Sequence, residues 1–225
     1  MLEFLSANHW LAGRIFAGVS ILMTLAVFDL RRHGRRATRW REYIFLLFVT
    51  LMAMVYGALN DQITSLISWE YFYYGKELAR ELGADIPPER VAMMWAAAKV
   101  GMGATWSAGL ILGVALLIAN NPRKGRARVT YGALVRTLPR VLGIVVVCSI
   151  VGGLLGFYGM LTWVSADFGD MVRTNDWRPY RFMATFGVHL GAYFGGLVGI
   201  ITAVVRVVRL RRRLVETVNP SEVAS

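Results

Sequence analysis

The chain has a single cysteine, Cys148, in 225 residues, and it lies inside an apolar run. A disulfide framework and a cysteine-based zinc site are both excluded. Charge is scarce as well. Asp, Glu, Lys and Arg make up 17% of the residues, against about 25% in soluble domains. Lysine is almost missing, with Lys76, Lys99 and Lys124 the only three among 25 Lys+Arg. The sequence has no P-loop, no dinucleotide-binding glycine pattern, no HExxH, no CxxC and no GxSxG. It also lacks the TVGYG filter of potassium channels. Enzyme classes defined by such motifs are set aside. What the chain does hold is apolar residues, at 56%. That is too little charge to cover a soluble fold and too much hydrophobicity for a disordered one. The composition is that of an integral membrane protein.

A membrane helix needs about 20 apolar residues to cross the hydrocarbon layer. Five segments qualify, at about Trp10–Leu30, Tyr43–Ile63, Val91–Ala119, Val141–Trp163 and Phe182–Val205. The first is expected to be a span and not a cleaved signal, because no basic residue precedes it and an arginine cluster follows it. The fold class expected is therefore all-α, a polytopic bundle of five transmembrane helices forming one domain over residues 1–225.

The net charge of +11 resembles that of a nucleic-acid binder until its positions are read. Arg31, Arg32, Arg35, Arg36, Arg39 and Arg41 follow the first span. Arg123, Lys124, Arg126, Arg128, Arg136 and Arg140 follow the third, and Arg206, Arg209, Arg211, Arg212 and Arg213 follow the last. With five spans these stretches share one side, while Glu3, Glu70, Glu77, Glu81, Asp85, Glu89, Asp167, Asp170 and Asp176 share the other. The positive-inside rule then places the N-terminus outside and the C-terminus in the cytoplasm. The expected partners of the basic side are the bilayer and its anionic lipids, with no nucleic acid. Arginine in place of lysine fits a GC-rich bacterial genome and a multi-pass protein of the inner membrane.

Between the second and third spans, residues 76–83 read as a short amphipathic outer helix stopped by Gly83. Pro87 and Pro88 mark the start of the third span. Glycines 187, 191, 195 and 199 recur every fourth residue, Gly152, Gly156 and Gly159 form a second row, and Gly109 and Gly113 a third. Such rows let helix backbones approach closely, either within one bundle or at a dimer seam.

Ionisable residues inside spans cost about 2.5–3.5 kcal/mol each, so each requires a reason. At 1.5 Å per residue from the inner boundary, Arg14 lies about 22 Å deep, His189 about 25 Å and Asp61 about 28 Å. Lys99 falls near the outer boundary. Asp61, Thr64, Ser65 and Ser68 follow at i, i+3, i+4 and i+7 and so line one helix face. That stripe is expected to face the bundle or a water-filled vestibule. Glu70 lies nine residues past Asp61, roughly on the opposite face. His189 and Tyr193 share a face. A bridge from His189 to Asp61 or to an aromatic ring is the structural reading, and a proton carrier is the functional one. No cofactor is expected, with haem or pigment ligation by His189 left open. Arg14 and Lys99 are expected to snorkel or to pair with Asp61, Glu70 or Asp167, or else to form a cationic pocket.

The stretch from Val55 to Thr64, containing Asn60-Asp61-Gln62, and the following Glu70-Tyr71-Phe72 resemble a pattern in bacterial multi-pass membrane proteins. The element His189-x-x-x-Tyr193-x-Gly195-Gly196 is similar to one in the same proteins. The resemblance implies a shared site built from the second and fifth spans, and no activity.

The leading expectation is transport or permeation of a small solute or ion through a polar vestibule open to the outer face. Asp61 would be central, Asn60, Gln62, Thr64, His189 and Tyr193 would line it, and Arg14, Lys99 and Glu70 would set its charge. Two alternatives are an accessory subunit of a larger respiratory, photosynthetic or secretion complex, and an intramembrane enzyme acting on lipid-linked substrates. Homo-oligomers and larger complexes both stay open.

Overall fold

A computed structural model describes residues 2–34, 37–121, 128–161 and 179–218. The described residues are all-helical, without strands. The elements are α1 (Leu2–His33), α2 (Trp40–Ile67), α3 (Trp69–Tyr73), α4 (Ala79–Leu82), α5 (Arg90–Ala119), α6 (Tyr131–Val135), α7 (Leu138–Phe157) and α8 (Pro179–Val218). Four stretches are long and apolar enough to cross a membrane: Trp40–Ile67, Arg90–Ala119, Tyr131–Phe157 and Pro179–Leu214. The chain is thus a multi-pass membrane protein by helix length and composition.

Several boundaries differ from the sequence expectation. The expected fourth span ran to Trp163, but α7 stops at Phe157 in a Schellman turn. There the Met160 amide donates to Leu155 O and the Gly159 amide to Gly156 O, with Gly159 at φ 75°. Gly159 therefore ends the helix and does not extend its glycine row. Residues 162 and 163 lie outside the described residues. The outer helix expected over 76–83 is helical only over Ala79–Leu82. Glu77 takes a left-handed φ of 58°, which breaks the helix and turns Leu78 into an apolar cluster. Gly83 terminates α4 as expected, at φ 83°.

The chain forms two compact units, Met1–Ala53 with Trp106–Pro139 and Ile200–Ser225, and Met54–Thr105 with Arg140–Gly199. In the first unit, the turn from α1 to α2 is held by Asp29. Its carboxylate accepts from the Trp40 amide at 3.0 Å, and it also meets His33 Nδ1 at 3.0 Å. Gly109 and Gly113 lie against Thr50, Ala53 and Leu46 of α2, where a Cβ on Gly109 would come within 2.7 Å of Ala53 Cβ. The α5–α6 connection is clasped by Asn120, which donates to Val129 O and accepts from its amide, both at 2.9 Å. Arg211 of α8 donates to Ala119 O, at the C-terminal end of α5, at 2.6 Å.

In the second unit the backbones of α2 and α5 meet at Gly57 and Gly101, where a Cβ on either would collide with the other's carbonyl oxygen. α7 and α8 approach in the same way. Gly152 meets Gly187, Gly156 meets Met183, and Gly191 meets Cys148. A Cβ on Gly195 would reach Val145 Cα at 2.8 Å, and one on Gly199 would reach Val141 Cγ1 at 2.8 Å. The row at 187–199 is thus covered by α7 of the same chain.

The C-terminal half of α2 is inverted relative to a soluble helix. Val55, Leu59 and Ile63 are 59%, 54% and 62% exposed, while Asp61, Thr64 and Ser65 are 4%, 2% and 5% exposed. In water this arrangement would leave large apolar side chains hydrated and bury a carboxylate. Against lipid tails it is the favourable one.

Candidate functional site

The site lies within the second unit, where α2 ends and α3 begins. Thr64 and Ser65 spend their hydroxyls on carbonyls of their own helix, Thr64 on Asn60 O at 2.9 Å and Ser65 on Gln62 O at 2.8 Å. This back-bonding satisfies both hydroxyls without a second helix. Ser68 closes α2 and starts α3. It adopts an extended φ of −144°, and its Oγ accepts from the Tyr71 amide at 3.2 Å. The same hydroxyl donates to Glu70 Oε2 at 2.8 Å, so the buried Glu70 carboxylate is held at the first turn of α3.

The kink at Ser68 sets two aromatic residues, Tyr71 and Phe72, beside α8. Tyr71 stacks on the His189 ring with centroids 5.0 Å apart and planes 12° apart, and Phe72 meets the same ring edge-on at 5.8 Å. Phe182 meets Tyr71 at 5.3 Å. Leu78, Met93, Ala96, Ala97 and Met183 complete this apolar cluster. Burial pushes the Tyr71 phenol above its usual range, with Tyr193 and Asp61 acting in the same direction. The Lys76 ammonium lies 5.4 Å from the Tyr71 ring centroid, a cation–π contact.

His189 and Asp61 come together as the sequence suggested. Nδ1 of His189 is 3.7 Å from Asp61 Oδ1, within ion-pair reach but too long for a hydrogen bond. Asp61 Oδ1 instead accepts from Asn60 Nδ2 at 3.1 Å. His189 is 8% exposed, and its Nε2 is buried with no hydrogen-bond partner among the described residues. Thr185, one turn before His189, is fully buried and donates to Thr64 O at 3.4 Å. An acid, an imidazole with an unused nitrogen and a buried second carboxylate therefore share one unit. Such a set can hold or pass a proton, or neutralise a small cation.

The other candidates are placed less centrally. Lys99 pairs with Glu81, a partner not among those expected from the sequence. The reason is local: α4 brings Glu81 to the half-buried Lys99, whereas Ser68 holds Glu70. Asp167 lies outside the described residues, as does the side chain of Arg14. Gln62 and Asn60 are half-buried, and Tyr193 is 58% exposed, so it flanks the buried set without being enclosed by it.

Sequence reasoning missed the aromatic shell around His189 and the pairing of Asp29 with His33. The first had a signal in the aromatic run Trp69–Tyr74, and the second in the i, i+4 spacing of Asp29 and His33. Among the described residues no group of three or more His, Cys, Asp or Glu could hold a metal ion. Comparison of the chain with protein-family models, with curated proteins and with solved structures finds no match in any of the three.

Proposed function

We propose that this is a five-span protein of a bacterial inner membrane, N-terminus outside and C-terminus cytoplasmic, that moves a small cation or a proton across the bilayer. α1 supplies the additional span, and the arginine-rich connections then lie together on the inner side. Asp61 is the central group of a vestibule opening outward, with His189 as its partner and Asn60, Gln62 and Thr64 beside them. One observation carries this reading. Asp61 is buried beside an equally buried imidazole, on a helix that turns its large apolar side chains outward. A carboxylate costly to bury needs a compensating role, and a structural one is met only in part by the single Asn60 donor. The subunit alternative gains nothing from the glycine row at 187–199, which is already occupied by α7.

The test is flux through the purified protein in proteoliposomes, read with a pH-sensitive dye and with radioactive sodium and potassium. Wild type is expected to carry one of these ions, and Asp61→Asn to lose that flux with its melting temperature retained. Equal flux in the two proteins, or none in wild type, removes the proposal.

A further inference from the structure

The turn between α1 and α2 borders a cavity of about 470 Å³ within the first unit. Arg32, His33, Thr38 and Arg39 line its polar part, and Leu25 and Phe28 its apolar part. Its one carboxylate, Asp29, is buried and already engaged by the Trp40 amide and the His33 ring. Among the described residues neither Arg32 nor Arg39 has a carboxylate partner. The Arg32 guanidinium sits 5.9 Å from the centroid of the Phe28 ring, which holds part of the cationic edge against the apolar one. With Asp29 fixing Nδ1, His33 retains Nε2 for a further hydrogen bond.

We infer that this cavity is a binding site for a phosphate group, with the two guanidinium forks as its donors. Guanidinium matches phosphate oxygens in pairs, and Thr38 adds a neutral hydroxyl. Leu25 and Phe28 are 40% and 58% exposed at the same cavity, so a ligand that also carries a hydrocarbon chain gains contact there. A phospholipid headgroup and a soluble phosphate compound share the recognised chemistry. The site is independent of Asp61 and of the transport reading.

The experiment is native mass spectrometry of the full chain in detergent, titrated in separate arms with phosphatidylglycerol, phosphatidylcholine and inorganic phosphate. Arg32→Gln/Arg39→Gln is compared with wild type and with Arg80→Gln/Arg90→Gln, which removes the same charge from exposed positions away from the cavity. The first pair is expected to weaken phosphatidylglycerol binding by roughly tenfold or more, and the control pair to leave it within about twofold. Phosphatidylglycerol binding without inorganic phosphate binding identifies a headgroup, and the same arginine dependence for inorganic phosphate identifies a soluble ligand. Binding unchanged in Arg32→Gln/Arg39→Gln, or lost equally in the control, overturns the site.

Discussion

Gly101 of α5 touches the carbonyl of Gly57 on α2, and a Cβ placed on it would also lie 2.9 Å from Asp61 Cγ. The close approach of α2 and α5 and the buried acid are therefore one structural element. A methyl group at position 101 must push the two backbones apart or displace the carboxylate. Gly101→Ala is expected to lower stability by about 1–3 kcal/mol, measured by thermal melting in detergent. Gly143→Ala on α7, where an added Cβ meets nothing within 4 Å, serves as the comparison.

The stacking of His189 on Tyr71 allows its packing role to be separated from its chemical one. His189→Phe keeps a ring against Tyr71 and Phe72, so its stability should stay within about 1 kcal/mol of wild type. His189→Ala leaves a cavity among Tyr71, Phe72 and Phe182, with an expected loss of about 2–4 kcal/mol. Ion flux should be lost in both variants. Thermal melts and proteoliposome flux on the same preparations check this, and retained flux in His189→Phe would reduce the residue to packing.

Glu89 makes the entry to α5 sensitive to acid. Its carboxylate accepts from the Val91 and Ala92 amides at 3.0 and 2.6 Å, and these bonds hold it below the usual glutamate range. A group whose value is lowered on folding adds stability above its unfolded value and loses it as pH falls through the folded one. Glu89→Gln should therefore melt lower than wild type at neutral pH. The gap should close as pH drops below the ordinary carboxylate range, and a melting series from neutral to acidic pH reads it directly.

The four long apolar helices were legible because lipid imposes a length and a composition that a single sequence displays. The polar stripe at Asp61, Thr64, Ser65 and Ser68 was legible for a related reason. Helical spacing put these residues on one face, and that face had to avoid lipid. The pairing of Lys99 with Glu81 was not legible, since Glu81 reaches it because Glu77 breaks the outer helix and α4 starts late. The end of α7 was misread for the opposite reason. Gly159 continued a glycine row by spacing, and only its left-handed φ distinguishes a terminator from a packing residue.

The inverted face of α2 also changes which mutations the protein can absorb. A soluble domain accepts variety on its surface and resists it in the core. Here the outward positions Val55, Leu59 and Ile63 accept any bulky apolar side chain but no charge, whereas the inward positions accept polarity but little added volume. In a saturation library spanning residues 54–68, survivors would divide by polarity on one helix face and by size on the other. The two patterns should alternate with the helical repeat, so growth alone would trace the helix's orientation without any structural measurement.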